Sequence, residues 1–229
     1  MKLIIFDLDG TLVNAYPAVH ASINHTLKAM GFPPRSAAVI KSSVGWGDRH
    51  LLEGFVGKAK GKAAIKIYRR HHAVALKTGV RFLSGAKAML IFLKKSGYRL
   101  AVASNRPTKF TLLILKMLGA RAYFDMVLCA DKVQRPKPHP DMLIKIMRLL
   151  KVRKEETLYV GDMTIDVLTG RGARVRTVAV ATGSSTTAQL KRLKPWRVID
   201  KMSRLKDIME APRSGELGVN SSRHNVGTH

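Results

Sequence analysis

Short runs of apolar residues recur along the chain, and most of them end at a polar residue or a glycine. The first run, Leu3–Phe6, ends at Asp7. A short, continuous apolar run is typical of a strand that is buried on both faces of a parallel sheet. Further runs of this kind predict strands at residues 99–103, 126–130, 157–160 and 177–180, with a short edge strand at 197–199.

Residues with helical spacing lie between these runs. One predicted helix is capped by Ser84 and stops at Gly97, and a second opens at Pro107 and ends before Gly119. A third covers residues 140–150. Because strands alternate with helices, the predicted fold class is α/β, with a Rossmann-like parallel sheet and helices on both of its faces.

One long interval interrupts this alternation, between the first strand and the helix at Ser84. It is far longer than a single crossover connection needs. Apolar residues at helical spacing within it predict a small helical cap domain at residues 15–79, inserted after the first strand. The core domain then comprises residues 1–14 and 80–210. Residues 211–229 are rich in Gly, Ser and Asn, and they are predicted to form a disordered tail.

The chain is strongly basic. Its 229 residues include 41 Lys and Arg against 15 Asp and Glu, which gives a net charge of +26. Such a charge attracts anions, among them phosphorylated metabolites and nucleic acid. The excess is +9 in residues 14–80, +12 in residues 81–160 and +5 in residues 161–210. A spread excess favours a solvated basic surface over a binding stripe, so nucleic acid stays a less favoured partner.

Cysteine usage and the amino-terminal segment predict a cytoplasmic protein. Cys129 is the only cysteine, so an internal disulfide is excluded. The apolar stretch before Asp7 is too short for a signal peptide or a membrane span, and no membrane partner is expected. The oligomeric state is left open between monomer and dimer.

Two carboxylates follow the first strand, at Asp7 and Asp9, and Gly10 comes directly after them. Side chains alternate along an extended chain, so Asp7 and Asp9 point the same way. Two adjacent carboxylates repel each other unless a cation or a proton lies between them. Open α/β sheets bind their ligands at the carboxyl ends of the strands, which is where this pair lies. The alternative is a pair that only caps the following helix.

A second acidic pair, Asp162 and Asp166, follows the strand at 157–160. Residues four apart share one face of a helix. Four acids at strand ends, in a chain with few acids, predict a site for a hard cation with oxygen ligands. Mg²⁺ fits best, because it is held by a few carboxylates together with substrate phosphate. The alternative is that one of this pair is only a helix cap.

Two further groups are candidates for phosphate binding. Ser104 and Asn105 follow another predicted strand, where a hydroxyl, an amide and free backbone N–H groups form a phosphate cradle. Lys137 lies between Pro136 and Pro138, which stiffen the backbone around it. A lysine held near carboxylates can grip a phosphoryl oxygen. Taken singly, these groups also fit a plain turn and a solvated loop lysine, but all four groups lie at one edge of the sheet.

The four groups, in this order, resemble the four signature motifs of the haloacid dehalogenase-like hydrolases. The motifs are residues 7–13, Ser104 with Asn105, Lys137, and residues 161–166. The resemblance covers about residues 1–183, and the predicted cap is similar to that of the phosphoglycolate phosphatase-like branch. It implies a Mg²⁺-dependent phosphatase with a small phosphorylated substrate.

The resemblance also implies the catalytic roles. Asp7 would attack phosphorus and form an aspartyl-phosphate intermediate. Asp9 would protonate the leaving oxygen and then deprotonate the water that hydrolyses the intermediate. The phosphoryl group would be held by residues of the second and third motifs: Ser104, Asn105 and Lys137.

A metal site is implied by the same resemblance. Mg²⁺ would be held by the carboxylates of Asp7 and Asp162 and by the backbone carbonyl of Asp9. Asp166 would not bind the metal directly but would position a metal ligand or Lys137.

The predicted cap is expected to cover the site and to choose the substrate. Trp46 lies between glycines in a predicted mobile loop, and Arg49 is a candidate for binding a substrate carboxylate with two hydrogen bonds. The alternatives are core packing for Trp46 and a surface role for Arg49.

The first hypothesis for the substrate is phosphoglycolate or a similar carboxylated phosphate. A phosphomutase, a phosphatase of pyrophosphate or nucleotides, and a nucleic-acid-associated protein that uses the basic surface are the alternatives. The mutase alternative is weakened because related mutases carry a cap histidine where this chain has Val19, and His20 is one residue away.

Overall fold

The computed structural model describes residues 1–210, so the predicted tail at 211–229 lies outside the described residues. Its strands are β1 (Leu3–Phe6), β2 (Val13–Asn14), β3 (Arg81–Phe82), β4 (Arg99–Ser104), β5 (Met126–Cys129), β6 (Thr157–Gly161), β7 (Arg176–Val180) and β8 (Arg197–Ile199). Six of them form one sheet in the order β5-β4-β1-β6-β7-β8, and every neighbouring pair is parallel.

The centre of the sheet is β1, which pairs with β4 on one side and with β6 on the other. All four of its residues are fully buried. A strand that is buried on both faces must be covered by helices on both sides, and this is why its sequence is continuously apolar rather than alternating. The predicted fold class, a Rossmann-like parallel sheet with helices on both faces, is confirmed.

Helices follow most of the strands. They are α1 (Tyr16–Ala29), α2 (Ala37–Ser43), α3 (Asp48–Val56), α4 (Lys58–Gly79), α5 (Ala86–Lys95), α6 (Thr108–Met117), α7 (Asp141–Leu149), α8 (Thr164–Gly172), α9 (Thr187–Arg192) and α10 (Arg204–Glu210). Side chains of β1 alternate between the two faces. Ile4 and Phe6 join a hydrophobic cluster with α5 and α6, whereas Leu3 and Ile5 pack with α7. None of the helices found within residues 1–210 has the length and hydrophobicity of a membrane-spanning segment.

Helices α1 to α4 lie between β2 and β3, and together we call them the helical insert. The insert has a hydrophobic cluster of its own, in which Ile23, Leu27 and Leu52 are fully buried. Strands β2 and β3 pair with each other and so bring the two connections between the insert and the sheet side by side. The division of the chain into a core domain and a cap domain at residues 15–79 remains a prediction.

The start of α5 differs from the sequence prediction. Ser84 is predicted as the helix cap, but α5 begins at Ala86, and Gly85 precedes it with a φ of 76°. That φ lies in the left-handed region, which glycine adopts without steric cost. The turn into α5 is therefore set by the backbone of Gly85 rather than by a serine side chain.

Candidate active site

The candidate residues converge at the carboxyl edge of the sheet. Asp7 follows β1, Ser104 ends β4 and Asp162 follows β6. These three strands are parallel neighbours in the order β4-β1-β6, so their carboxyl ends meet. Lys137 reaches the same place from the loop before α7. The four sequence motifs therefore occupy one small region of the structure.

Lys137 places a buried ammonium group between two carboxylates. Its Nζ donates to Oδ1 of Asp7 and to Oδ1 of Asp166, each at 2.7 Å. The side chain is only 2% exposed, so water screens these ion pairs little. Burial alone would lower the pKa of Lys137, but the charges of Asp166 and Asp7 outweigh it and hold the pKa well above its ordinary value.

Asp166 is engaged by donors at both of its oxygens. Oδ1 accepts from Lys137 and, at 2.6 Å, from the hydroxyl of Tyr159. Oδ2 accepts from the backbone N–H of Met163 at 2.9 Å, at the start of α8. Asp166 is thus placed to hold Lys137. Tyr159 also lies 3.1 Å from Lys137 Nζ, and it was missed because a tyrosine inside a buried strand looks like ordinary core.

Asp162 links the first and the fourth motif. Its Oδ1 accepts from the hydroxyl of Thr11 at 2.8 Å, and its Oδ2 accepts from the backbone N–H of Ser184 at 3.2 Å. Gly10 turns beside it with a φ of 81°, and a Cβ at that position would lie 2.7 Å from Cγ of Asp162. A glycine is therefore required for the first motif to pack against the fourth.

The acidic cluster carries more negative charge than the protein balances. Carboxylate oxygens of Asp7, Asp162 and Asp166 lie within 4.8 Å of one another, and all three residues are buried. Burial, above all, raises the pKa of Asp7 to about 7 and the pKa of Asp162 well above its ordinary value. When all three carboxylates are ionised, the one ammonium of Lys137 leaves two negative charges, which a divalent cation with oxygen ligands would neutralise. The residues present fit a Mg²⁺ site.

The side chain of Asn105 fixes the loop that carries Lys137. Its Nδ2 donates to the backbone carbonyl of Lys137 at 2.9 Å, and its Oδ1 accepts from the backbone N–H of Lys137 at 3.0 Å. Nδ2 also donates to the carbonyl of Gly45 at 2.9 Å, which is a contact with the helical insert. The hydroxyl of Ser104 accepts from the backbone N–H of Arg106 at 3.2 Å. The second motif therefore stands beside the acidic cluster.

Asp9 is held by Arg106, a residue that sequence reasoning missed. Nε and Nη2 of Arg106 donate to the two carboxylate oxygens of Asp9, each at 2.8 Å. The side chain of Arg106 is 10% exposed and that of Asp9 is 24% exposed. Its position in the sequence could have indicated a role in the site, because Arg106 directly follows Ser104 and Asn105 at the end of the same strand.

His72 of α4 connects this ion pair to the helical insert. Its Nε2 lies 2.6 Å from Nη1 of Arg106, and its Nδ1 lies 3.1 Å from the hydroxyl of Ser22. That hydroxyl donates to the carbonyl of Ala18, so Nδ1 of His72 must be the donor to Ser22, and Nε2 accepts from Arg106. Burial, together with the charge of Arg106, lowers the pKa of His72 to about 2. The ring is neutral.

The side chain of His72 is fully buried. His72 stacks on Tyr68 and meets the edge of Phe110 in α6. The helix face that carries His72 is therefore covered by neighbouring elements, a contact that helical spacing alone does not reveal.

A pocket lies between the edge of the sheet and the insert. Its polar lining includes Asp7, Asp9, Asn105, Arg106 and Lys137. Its apolar walls include Val19, Leu51, Tyr68, Phe110 and Ile165. Neither Trp46 nor Arg49 lines this pocket. Trp46 is 48% exposed. The side chain of Arg49 is 78% exposed and forms an ion pair with Glu53. The loop around Trp46 reaches the pocket through Gly45 and Gly47 instead.

The fold and the site define a class of enzyme. Carboxylates, a buried lysine and backbone donors at the carboxyl edge of a parallel sheet suit phosphoryl transfer, in which an anionic group must be held and stabilised. The sequence model of the haloacid dehalogenase-like hydrolases matches residues 4–180, and the chain belongs to this family.

Proteins named as phosphatases match nearly the whole chain. The chain is 29% identical over 220 residues to the phosphoglycolate phosphatase of Psychrobacter arcticus, covering 91% of this chain and 95% of that protein. It is 31% identical over 209 residues to the pyrophosphatase PpaX of Bacillus mycoides, covering 91% and 97%. The crystal structure of a predicted phosphoglycolate phosphatase from Haemophilus somnus 129pt has a TM-score of 0.83 and 28% identity, covering 92% of this chain and 98% of that chain. The predicted branch and the enzyme class, a phosphatase, are confirmed.

Proposed function

We propose that this phosphatase hydrolyses a small phosphate monoester with Mg²⁺ as its metal and with an aspartyl-phosphate intermediate at Asp7. The observation that carries the proposal is the buried cluster of Asp7, Asp162 and Asp166 around Lys137, with two negative charges in excess. The proposed substrate carries a carboxylate, as phosphoglycolate does. The similarity to phosphoglycolate phosphatases supports this choice.

Asp7 is the proposed nucleophile of the first step. Lys137 fixes its Oδ1, and within the described residues no donor occupies its Oδ2. An oxygen of Asp7 forms a bond to phosphorus while the bond from phosphorus to the leaving oxygen breaks. Asp9 gives a proton to that leaving oxygen, so the product leaves as a neutral hydroxyl group.

In the second step, water attacks the phosphorus of the aspartyl-phosphate and gives a proton to Asp9. The bond between Asp7 and phosphorus breaks, inorganic phosphate is released and the Asp7 carboxylate is restored. Arg106 donates to both oxygens of Asp9, so the leaving oxygen and the attacking water must approach the lone pairs that these two hydrogen bonds leave open.

The metal would be held by the carboxylates of Asp7 and Asp162 and by the backbone carbonyl of Asp9. When bound, Mg²⁺ supplies positive charge that stabilises the transferring phosphoryl group. Asp166 holds Lys137 in position through the 2.7 Å contact. The phosphoryl oxygens would be bound by Lys137 Nζ, the hydroxyl of Ser104 and the backbone N–H of Asn105.

The test is release of inorganic phosphate from a panel of phosphoglycolate, sugar phosphates, nucleotides and pyrophosphate. We expect turnover with Mg²⁺, none with a chelator in its place, and none from Asp7→Asn. Asp207→Asn, which removes an exposed carboxylate of α10, is the matched control and should keep wild-type turnover. If the folded wild type releases phosphate from no ester of the panel, the proposed function is wrong.

Pyrophosphate is a second candidate substrate. The observation that favours it is the similarity to the pyrophosphatase PpaX over nearly the whole chain. A higher kcat/KM for pyrophosphate than for every monoester of the panel would select this candidate.

A further inference from the structure

Arg106 is the one cation among the described pocket-lining residues to which the proposed mechanism gives no role. Lys137, the other cation of the lining, is committed to Asp7 and Asp166. Arg106 lies next to Asp9 in the pocket. The leaving group must also lie next to Asp9, because Asp9 protonates the leaving oxygen. The walls around it are largely apolar, so an anion at this place would interact strongly with the guanidinium.

The guanidinium has hydrogen-bond donors to spare. An arginine side chain offers five N–H groups. Two of those of Arg106 bind Asp9 and one binds His72. The remaining two have no acceptor among the described side chains and are free to bind a ligand in the pocket.

The helical insert holds Arg106 in this position. His72 accepts from Nη1 of Arg106, while its own Nδ1–H is anchored at Ser22 of α1. Tyr68 stacks on the ring of His72 at 4.8 Å between centroids. The orientation of the guanidinium is therefore fixed from two sides, by Asp9 of the sheet edge and by His72 of the insert.

We propose that Arg106 is the specificity residue for the leaving group, and that it binds a second anionic group, a carboxylate or a phosphate, on the substrate. The inference rests on the proposed function, because it names the substrate class of the same site. The second anion would take the two remaining N–H groups and place the ester oxygen beside Asp9. It would also share the positive charge of Arg106 and so loosen the hold of Arg106 on Asp9.

The test compares two substrates that differ only in the charge of the second group. Phosphoglycolate carries a carboxylate, and its amide, 2-amino-2-oxoethyl phosphate, is a neutral analogue of the same size. We expect the wild type to show a kcat/KM ratio on the order of 100 in favour of phosphoglycolate, the effect of a charge-assisted pair of hydrogen bonds. Equal values of kcat/KM for the two would overturn the inference without any variant.

The variant Arg106→Gln should bring this ratio to about 1. Turnover of both substrates will also fall, because Asp9 loses its partner. This common decrease cancels in the ratio of the two kcat/KM values. Arg70→Gln, an exposed position of the same helix as His72, is the matched control and should keep the wild-type ratio. If Arg106→Gln does not fold, Arg106→Lys keeps the charge but not the paired donors, and its ratio should lie clearly below that of the wild type.

Arg49 is the rival for the second anion. A ratio that collapses in Arg49→Gln and persists in the Arg106 variants would overturn the inference. Pyrophosphate in the same series distinguishes a phosphate from a carboxylate: the preferred anion is the one whose substrate loses more kcat/KM in Arg106→Gln. If neither ester nor pyrophosphate is hydrolysed, the proposed function itself fails, whereas hydrolysis without preference overturns only the role of Arg106.

Discussion

Lys137 contacts both Asp7 and Asp166, and it is the only ammonium in their cluster within the described residues. Each of the three side chains is almost fully buried. A buried carboxylate without a partner is costly, because no water solvates its charge. The stability of the site and its chemistry therefore depend on the same side chain.

Removal of this ammonium should destabilise the fold as well as abolish turnover. We expect Lys137→Met to lower the free energy of unfolding by about 3–5 kcal/mol in urea titrations without metal. Adding Asp166→Asn to Lys137→Met should recover part of this loss, because one unpaired charge is removed with it. Lys2→Met, which breaks a surface pair with Glu156, should cost far less, because water screens that pair. A loss for Lys137→Met no greater than that of Lys2→Met would contradict the buried pairing.

The neutral state of His72 gives a prediction for the dependence of stability on pH. Its pKa in the folded protein, about 2, lies below the ordinary value of 6.5. The unfolded chain therefore takes up a proton at this residue as the pH falls through 6.5, and the folded protein does not. The stabilising contribution is complete above pH 6.5 and declines by up to about 1.4 kcal/mol per pH unit below it.

This prediction is tested by urea unfolding at pH 7.0, 6.0 and 5.0 in wild type and His72→Gln. Glutamine keeps an acceptor for Arg106 but does not titrate, so the variant should lose less stability than the wild type on acidification. His50→Gln removes an exposed histidine of α3 and should follow the wild type. Parallel pH dependences for wild type and His72→Gln would show that His72 is not held neutral.

At the scale of elements, the helical insert has a hydrophobic cluster separate from those of the sheet, and β2 and β3 carry both connections to it. The chain contains two tryptophans, Trp46 in the insert and Trp196 before β8. Single-tryptophan variants therefore report on the two parts separately. This makes the predicted division into cap and core testable by fluorescence.

Leu52→Ala opens a space in the buried cluster of the insert, and we expect it to cost about 2–5 kcal/mol of unfolding free energy for the insert. If the insert is a domain, the midpoint of urea unfolding seen by Trp46 should fall while the midpoint seen by Trp196 stays near wild type. Val74→Ala, at an exposed position of α4, should change neither. Equal shifts at both tryptophans would show one cooperative unit and contradict the predicted domain boundaries.

The parts of this fold that are local in sequence could be predicted. Asp7, Ser104 and Asp162 each follow a continuously apolar run, and parallel strands place such residues at one edge. The contact of Arg106 with His72 could not be predicted in this way, since it joins a strand end to a helix of the insert. It depends on how the insert packs on the sheet, which no periodicity records.

At the scale of the whole molecule, one long segment of the basic chain contains no acidic residue. From residue 54 to residue 124 the chain has 16 Lys and Arg and no Asp or Glu. This segment contains α4, α5 and α6, and α4 and α6 flank the pocket through His72 and Phe110. We infer that a positive field of this extent raises the local concentration of anionic substrates near the site.

We therefore expect kcat/KM for phosphoglycolate to fall as ionic strength rises. Between about 10 and 150 mM salt the screening length shrinks from about 30 to about 8 Å. We expect kcat/KM to decrease over this range by a factor of several to about ten. Turnover at saturating substrate, kcat, should change little, and it serves as the internal control. A kcat/KM that is independent of salt would show that the basic surface has no part in substrate capture.

Asp7 is proposed to carry the phosphoryl group between the two steps, and acid quenching during turnover of a phosphate-labelled substrate tests this role most directly. We expect labelled wild-type protein that loses its label to hydroxylamine, and no label on Asp7→Asn. Label that maps to Asp7 would establish the intermediate. Turnover by Asp7→Asn, or label on another residue, would contradict the mechanism.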